Sequence, residues 1–138
     1  MNTTCLLNYY IINDELKNTC DFNPDLIKNK SGIYEVFRVI DGKPLFLDEH
    51  INRFFRSANA MGIKPEFSKE WVKSRIKTLI EANKMKTGNI HFQNLEKISF
   101  IAWIPPFKYP TLQQKTEGAE VISLIAVREN PQIKRTNL

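Results

Sequence analysis

The alternation of hydrophobic and polar residues predicts a strand and a hairpin in the first third of the chain. Residues 5–12 are rich in β-forming side chains, and Asn13 and Asp14 tolerate the positive φ of a tight turn. From Gly32 to Ile40 the residues alternate, and Asp41-Gly42 predicts a turn into a second strand at residues 44–47. One side of the first hairpin strand is expected to carry Ile33, Glu35, Phe37 and Val39.

Two helices are predicted next, because the spacing of apolar residues changes to three and four. The first runs from the candidate N-cap Asp48 to Gly62, and the second runs from the candidate N-cap Ser68 to about Ala82. Their apolar positions are Ile51, Phe54, Phe55, Ala58 and Met61 in the first helix, and Val72, Ile76, Leu79 and Ile80 in the second.

The sequence of the second half of the chain predicts further β-strands. Residues 90–93 and 97–104 are expected to form adjacent antiparallel strands that end at Pro105-Pro106. Residues 107–118 are expected to form a linker, and the apolar residues 121–127 a further strand. These elements together predict an α+β fold, with an antiparallel sheet and two helices.

Composition narrows the class of protein. The chain has 138 residues, 42% of them hydrophobic, and a formal charge of +5 from 20 basic and 15 acidic residues. The basic residues are interleaved with acidic ones, which favours a solvated surface over a nucleic-acid interface. Apolar runs are shorter than the ~20 residues of a membrane helix, and the N-terminus lacks a signal peptide pattern, so a cytoplasmic protein without a membrane span is expected. Cys5 and Cys20 lack metal-ligand spacing and are interpreted as reduced thiols.

Chemically versatile residues are few, and none forms a strong motif by spacing alone. His50, Arg53 and Ser57 share one flank of the first helix, where an arginine can hold a phosphate or carboxylate through two parallel N–H bonds. The alternative is an exposed Arg53 beside a histidine that satisfies a loop carbonyl. The role of Lys134 also has two interpretations. A lysine in a polar tail is ordinarily solvated, and it becomes chemically active only through burial or a carbonyl cofactor. No metal site is predicted.

Two segments resemble one enzyme family. GIYEVFRVIDGKPLFLDEHINRFFRSA, residues 32–58, and NPQIKRTNL, residues 130–138, resemble motifs of the fold-type IV enzymes that use pyridoxal 5'-phosphate (PLP). This family includes D-amino acid aminotransferase, branched-chain aminotransferase and aminodeoxychorismate lyase. The resemblance implies that Arg53 binds the cofactor phosphate and that Lys134 is the Schiff-base lysine.

The same resemblance implies the architecture and the substrate site. It implies the N-terminal two-layer domain of the family at residues 1–117, and a linker with the first strand of a C-terminal domain at residues 118–138. Tyr34 and Arg38 match positions that line the substrate pocket. The implied protein is a homodimer that binds PLP and an amino acid or 2-oxo acid.

The chain also departs from the family pattern. Where D-amino acid aminotransferase has an arginine for the substrate carboxylate, this chain reads Asn94-Leu95-Glu96-Lys97, so Lys97 or Arg38 is the expected substitute. Family members are about twice as long, and the absent half supplies further cofactor contacts. We therefore expect a PLP-dependent aminotransferase that is weak or inactive as this chain alone. The alternatives are a lyase of the aminodeoxychorismate type and a non-catalytic α+β domain that self-associates.

Overall fold

The computed structural model describes residues 4–28 and 30–136, which form one antiparallel sheet with the two long helices on one face. The sheet order is β2-β1-β6-β5-β3-β4. The strands are β1 (Tyr9–Ile12), β2 (Glu15–Asn18), β3 (Gly32–Ile40), β4 (Lys43–Pro44), β5 (Gly88–Leu95) and β6 (Ile98–Trp103). The α+β class, the antiparallel sheet and the pairing of β5 with β6 confirm the sequence prediction.

Helices α1 (Leu47–Ala60) and α2 (Lys69–Ala82) cover one face of the sheet. The predicted apolar positions face the sheet, and Phe55 and Met61 lie at the margin of the core. Ser68 caps α2 as predicted, because its hydroxyl accepts a hydrogen bond from the Trp71 N–H. The fully buried members of this core include Ile33, Ile51, Phe54, Val72, Ile76, Leu79, Ile90, Phe92 and Phe100.

The hairpin between β3 and β4 positions the residues of the candidate functional site. Asp41 and Gly42 have φ values of 50° and 72°, as a tight hairpin turn requires. The predicted alternation along β3 is confirmed, since Ile33, Phe37 and Val39 are buried together with Glu35. The strand after the turn is shorter than predicted and ends at Pro44, because the chain enters α1 at Leu47.

The predicted N-cap of α1 is wrong by two residues. Phe46 occupies the N-cap position in the left-handed conformation, with φ 52° and ψ 37°, and this bend starts the helix at Leu47. Asp48 lies inside the first turn, where a negative charge suits the helix dipole, and its carboxylate pairs with Lys73 on α2 at 2.5 Å.

The N-terminal strand is also shorter than predicted, and its hairpin partner was not predicted. Strand β1 covers only Tyr9–Ile12, and β2 pairs with it across the predicted turn at Asn13, whose φ is 52°. All four side chains of β2 are exposed, so this strand has no buried face to produce an apolar alternation.

The segment after the sheet differs most from the prediction. Residues 107–118 contain the short helix α3 (Leu112–Glu117), which begins with a capping box at Thr111. Residues 121–127 do not form the predicted strand, because nothing in the described part of the chain pairs with them. The exposed apolar side chains of this segment are Val121, Ile122, Leu124, Ile125 and Val127. Of the helices described, none combines the length and the hydrophobicity needed to cross a membrane.

Candidate functional site

A buried carboxylate organises the start of α1. Glu35 points inward from β3 and is 0% exposed. Arg53 donates from Nε to Glu35 Oε1 and from Nη2 to Oε2, both at 2.6 Å. His50 donates from Nδ1 to the same Oε2 at 2.9 Å, since an ionised carboxylate only accepts. The hydrogen-bond partner of His50 is therefore the Glu35 carboxylate and not the loop carbonyl that the sequence also allowed.

The Arg53 side chain is half-buried and remains a cation. Its hydrogen bond to Glu35 raises the pKa of Arg53 above its ordinary value, so the guanidinium stays charged at every working pH. A cavity of about 360 Å³ opens beside it, lined by Phe46, Glu49, His50, Arg53 and Arg56. Two arginines against the one carboxylate of Glu49 leave the lining of this cavity basic, which suits an anion, and Glu35 fixes the orientation of the Arg53 guanidinium from behind.

Lys134 lies in a tail that is bonded to β3. Its carbonyl accepts a hydrogen bond from the Tyr34 N–H at 2.9 Å, and the Thr136 N–H donates to the Gly32 carbonyl at 2.9 Å. Arg135 and Ile33 form an antiparallel bridge between these two bonds. The tail therefore extends the sheet along β3, and Lys134 is ordered by backbone bonds.

The structure brings Arg53, Lys134 and Tyr34 together. The Lys134 N–H donates to the hydroxyl of Ser57 at 3.3 Å, and Ser57 lies one turn after Arg53 on α1. On β3, Tyr34 bonds to the Lys134 backbone while its neighbour Glu35 binds Arg53. The two principal residues predicted from the sequence are thus held by the same helix and by consecutive residues of one strand.

The outer face of the sheet carries an aromatic row beside Lys134. Lys134 Nζ lies 5.0 Å from the centroid of the Tyr34 ring, and the Tyr34 and His91 ring centroids are 5.2 Å apart. His91 in turn stacks on Trp103 at 4.2 Å. Burial, followed by the charge of Lys134, lowers the pKa of His91 to about 3, so its imidazole is neutral.

Gln93 completes this row and was not predicted from the sequence. Its side-chain amide donates to His91 Nε2 at 3.0 Å, and among the described residues its Oε1 has no hydrogen-bond partner. The register pairs Tyr34 with Gln93 and Val36 with His91, which places all four side chains on one face. The alternation along β5 is the sequence signal that could have identified Gln93, because His91 and Gln93 are two residues apart on a strand whose other face is apolar.

Arg38 lies away from Lys134. It follows Tyr34 by four residues on the same face of β3, a separation of roughly 13 Å along a strand. Its Cζ lies 3.9 Å from the centroid of the Tyr109 ring, and the Tyr109 hydroxyl donates to Asn89 Oδ1 at 2.9 Å. Lys97 is exposed in the turn between β5 and β6. The role of Arg38 or Lys97 toward a carboxylate stays a prediction.

The residues present fit a phosphorylated aldehyde. Arg53 and Arg56 supply two cations at an open cavity that Glu49 also lines, and Lys134 supplies a primary amine on a backbone whose N–H is bonded to the same helix. The row formed by Tyr34 and His91 offers flat surfaces for an aromatic ring. These three features are the ones that a phosphate, a carbonyl and a pyridine ring require.

Comparisons with known proteins match most of the chain to one family. Residues 32–136 match the family described as amino-transferase class IV. Over 62 residues the chain is 40% identical to D-alanine aminotransferase from Bacillus licheniformis, an alignment that covers 45% of this chain and 22% of that protein.

Solved structures share the fold. A putative branched-chain amino acid aminotransferase from Thermotoga maritima superimposes with a TM-score of 0.62 at 16% identity, covering 77% of this chain and 40% of that one. The T.th. branched-chain amino acid aminotransferase, complexed with N-(5'-phosphopyridoxyl)-L-glutamate, gives a TM-score of 0.60 at 15% identity, covering 75% and 41%. The chain thus spans much less than two thirds of the proteins that it resembles.

Proposed function

We propose, from the premise that this chain belongs to the amino-transferase class IV family, that it carries the phosphate-binding arginine and the cofactor lysine of an aminotransferase. The family depends on PLP, and the reaction would move an amino group between an amino acid and a 2-oxo acid. One observation carries the proposal: Arg53 and Lys134 are held by the same helix and by consecutive residues of β3.

Each residue has a distinct role in this proposal. Arg53 binds the phosphate, with Glu35 holding its guanidinium in orientation. Lys134 would hold the cofactor through its side-chain nitrogen and, once the substrate amine had replaced it there and freed it, would move the proton at the substrate Cα as base and acid in turn. The chemistry that PLP would supply when bound is an electron sink for the pair left at the substrate Cα. Tyr34 excludes water on one side of the lysine, where its ring contacts Nζ.

We also propose that residues 1–117 form the domain and that residues 118–138 lead into a further one. The coverage of 22% in the Bacillus licheniformis relative and the exposure of the apolar residues 121–127 support this division. The chain alone would then be weak or inactive, since the contacts to the pyridine nitrogen are expected from residues outside it. Binding of PLP is therefore a better first test than turnover.

The test is covalent labelling of the purified chain by PLP. We expect a visible absorption band on mixing, and after borohydride reduction a phosphopyridoxyl group on Lys134, located by peptide mass spectrometry. Lys134→Ala should abolish that label, whereas Lys77→Ala, on exposed α2 surface, should leave it intact. Equal labelling of the parent and of Lys134→Ala would contradict the proposal.

A second candidate function, self-association without catalysis, is favoured by one observation. The apolar side chains of residues 121–127 are between 85% and 100% exposed. Such a surface favours association with a second copy, because burying it removes apolar area from water. A homodimer or larger oligomer that takes no label at Lys134 would support this candidate over the first.

A further inference from the structure

We infer that Ser57 is a positioning residue for Lys134, and that α1 thereby sets the spacing between the phosphate and the amine ends of the site. This inference rests on the proposed function, since it assigns a cofactor role to Lys134. The observation behind it is the hydrogen bond from the Lys134 N–H to Ser57 Oγ, 77 residues away in the chain.

The burial and the bonding of Ser57 are unusual for a hydroxyl on a helix. Hydroxyls within helices commonly donate to the carbonyl four residues earlier, and Thr78 and Thr116 do so at 3.0 Å and 2.9 Å. Ser57 is only 2% exposed, and its hydroxyl bonds to the tail. A hydroxyl buried at this depth needs a partner, and the backbone of Lys134 provides one.

The position of Ser57 on α1 explains why its hydrogen bond with Lys134 matters for the site. Ser57 follows Arg53 by four residues, a rise of about 6 Å on the same flank of a helix. The backbone bonds between the tail and the sheet reach residues 32–34 of β3. The bond to Ser57 therefore ties the lysine to the helix that carries the phosphate-binding arginine.

This coupling affects reactivity because a lysine side chain is long and flexible. An amine that must meet one carbon atom gains rate from a fixed starting point, and a displacement of about 1 Å can cost a large factor. With the backbone of Lys134 fixed at Ser57 and Tyr34, only the side-chain torsions remain to be ordered.

The first experiment measures amide hydrogen exchange of Lys134 by NMR, without any cofactor. We expect Ser57→Ala to speed exchange at Lys134 by about tenfold, the scale expected for one lost hydrogen bond. Ser57→Cys fills the same space with a somewhat larger side chain that is only a weak acceptor, so it should exchange as fast as Ser57→Ala. Thr78→Ala, which removes a helical hydroxyl far from the tail, should leave Lys134 unchanged.

Two exchange results would overturn the inference. Unchanged exchange in Ser57→Ala would show that the hydroxyl does not hold the tail. Slow exchange restored by Ser57→Cys would show that filling the volume matters, and not the hydrogen bond. Both results are independent of whether PLP binds, so they separate failure of this inference from failure of the proposed function.

The second experiment measures how fast PLP labels individual lysines. We expect Ser57→Ala to slow labelling at Lys134 by about fivefold or more, with no change at the exposed Lys77, and Ser57→Thr to restore the rate. A parent protein labelled at Lys134 whose rate is unaffected by Ser57→Ala would overturn the positioning role while leaving the proposed function intact. Absence of label in the parent would overturn both.

Discussion

Arg53 donates two hydrogen bonds of 2.6 Å to the carboxylate of Glu35, one from each side of its guanidinium fork. Glu35 is fully buried in the sheet, whereas the Arg53 side chain reaches the surface cavity. The pair therefore links the interior of the domain to the candidate phosphate pocket. The two hydrogen bonds fix the plane of the guanidinium before any ligand binds, and the bond to Glu35 keeps the guanidinium charged.

Removing Arg53 is expected to destabilise the domain, because Glu35 would remain buried without its cation. We expect Arg53→Met to lower the free energy of unfolding by about 3 kcal/mol. In a Glu35→Gln background the same change should cost clearly less, since no buried charge remains. Urea denaturation of the two single variants and the double variant measures this difference. Equal costs in both backgrounds would show that the two residues are not coupled.

His91 is expected to make stability depend on pH. Its folded pKa of about 3 lies below the ordinary value of 6.5, so between these values the unfolded chain binds a proton that the folded chain excludes. His91 should therefore contribute its full stabilisation above pH 6.5. As the pH is lowered below 6, the free energy of unfolding should fall by about 1.4 kcal/mol for each pH unit.

The variant His91→Gln provides the comparison for that slope. Every other ionisable group is the same in both proteins, so the difference between the two unfolding curves isolates His91. We expect the variant to lack the extra slope between about pH 6 and about pH 5. Parallel curves for parent and variant would show that His91 is protonated as easily in the folded state as in the unfolded one.

The N-cap of α2 is expected to contribute to global stability. Ser68→Ala removes the acceptor for the Trp71 N–H and should cost about 1 kcal/mol, measured by thermal or urea unfolding. Thr111→Ala removes a similar cap from α3, which contributes no buried residue, so it should leave the unfolding midpoint unchanged. The reverse ranking of these two variants would contradict the assignment of α2 to the core.

The exposed apolar segment is expected to drive self-association. Ile125 is 100% exposed, so Ile125→Lys should reduce the oligomer fraction in sedimentation equilibrium without altering the free energy of unfolding of the domain. Glu120→Gln, at a neighbouring exposed position, raises the net charge by the same single unit and controls for it. An oligomer fraction that falls equally in both variants would indicate an electrostatic effect and not an apolar contact.

Several elements of the fold could be predicted because local pattern and tertiary packing agree. The buried residues of β3, α1 and α2 were identified by periods of two and of three to four, and each stripe faces the same core. The N-cap at Ser68 was predicted for a similar local reason. The error at Asp48 arose because a left-handed Phe46, a rare conformation for an aromatic residue, starts the helix.

The site was predictable only in part. The resemblance predicts Arg53, Lys134 and Tyr34 as site residues; their roles stay a prediction, and the structure places the three beside the same part of β3 and α1. It did not indicate that Glu35 would be the shared partner of Arg53 and His50, although an acid in an apolar alternation already implies a buried partner. His91 and Gln93 are adjacent to Tyr34 only through strand register, which a single sequence does not specify.

The most direct measurement compares PLP with pyridoxal, which lacks the phosphate, as labels for Lys134 in the unmodified chain. The rate ratio at Lys134 is divided by the ratio at the exposed Lys77, which corrects for the intrinsic reactivity of the two aldehydes. If Arg53 and Lys134 hold the two ends of one cofactor, the corrected ratio should favour PLP by about tenfold or more, and inorganic phosphate should reduce it. A corrected ratio near one, unaffected by phosphate, would contradict the account.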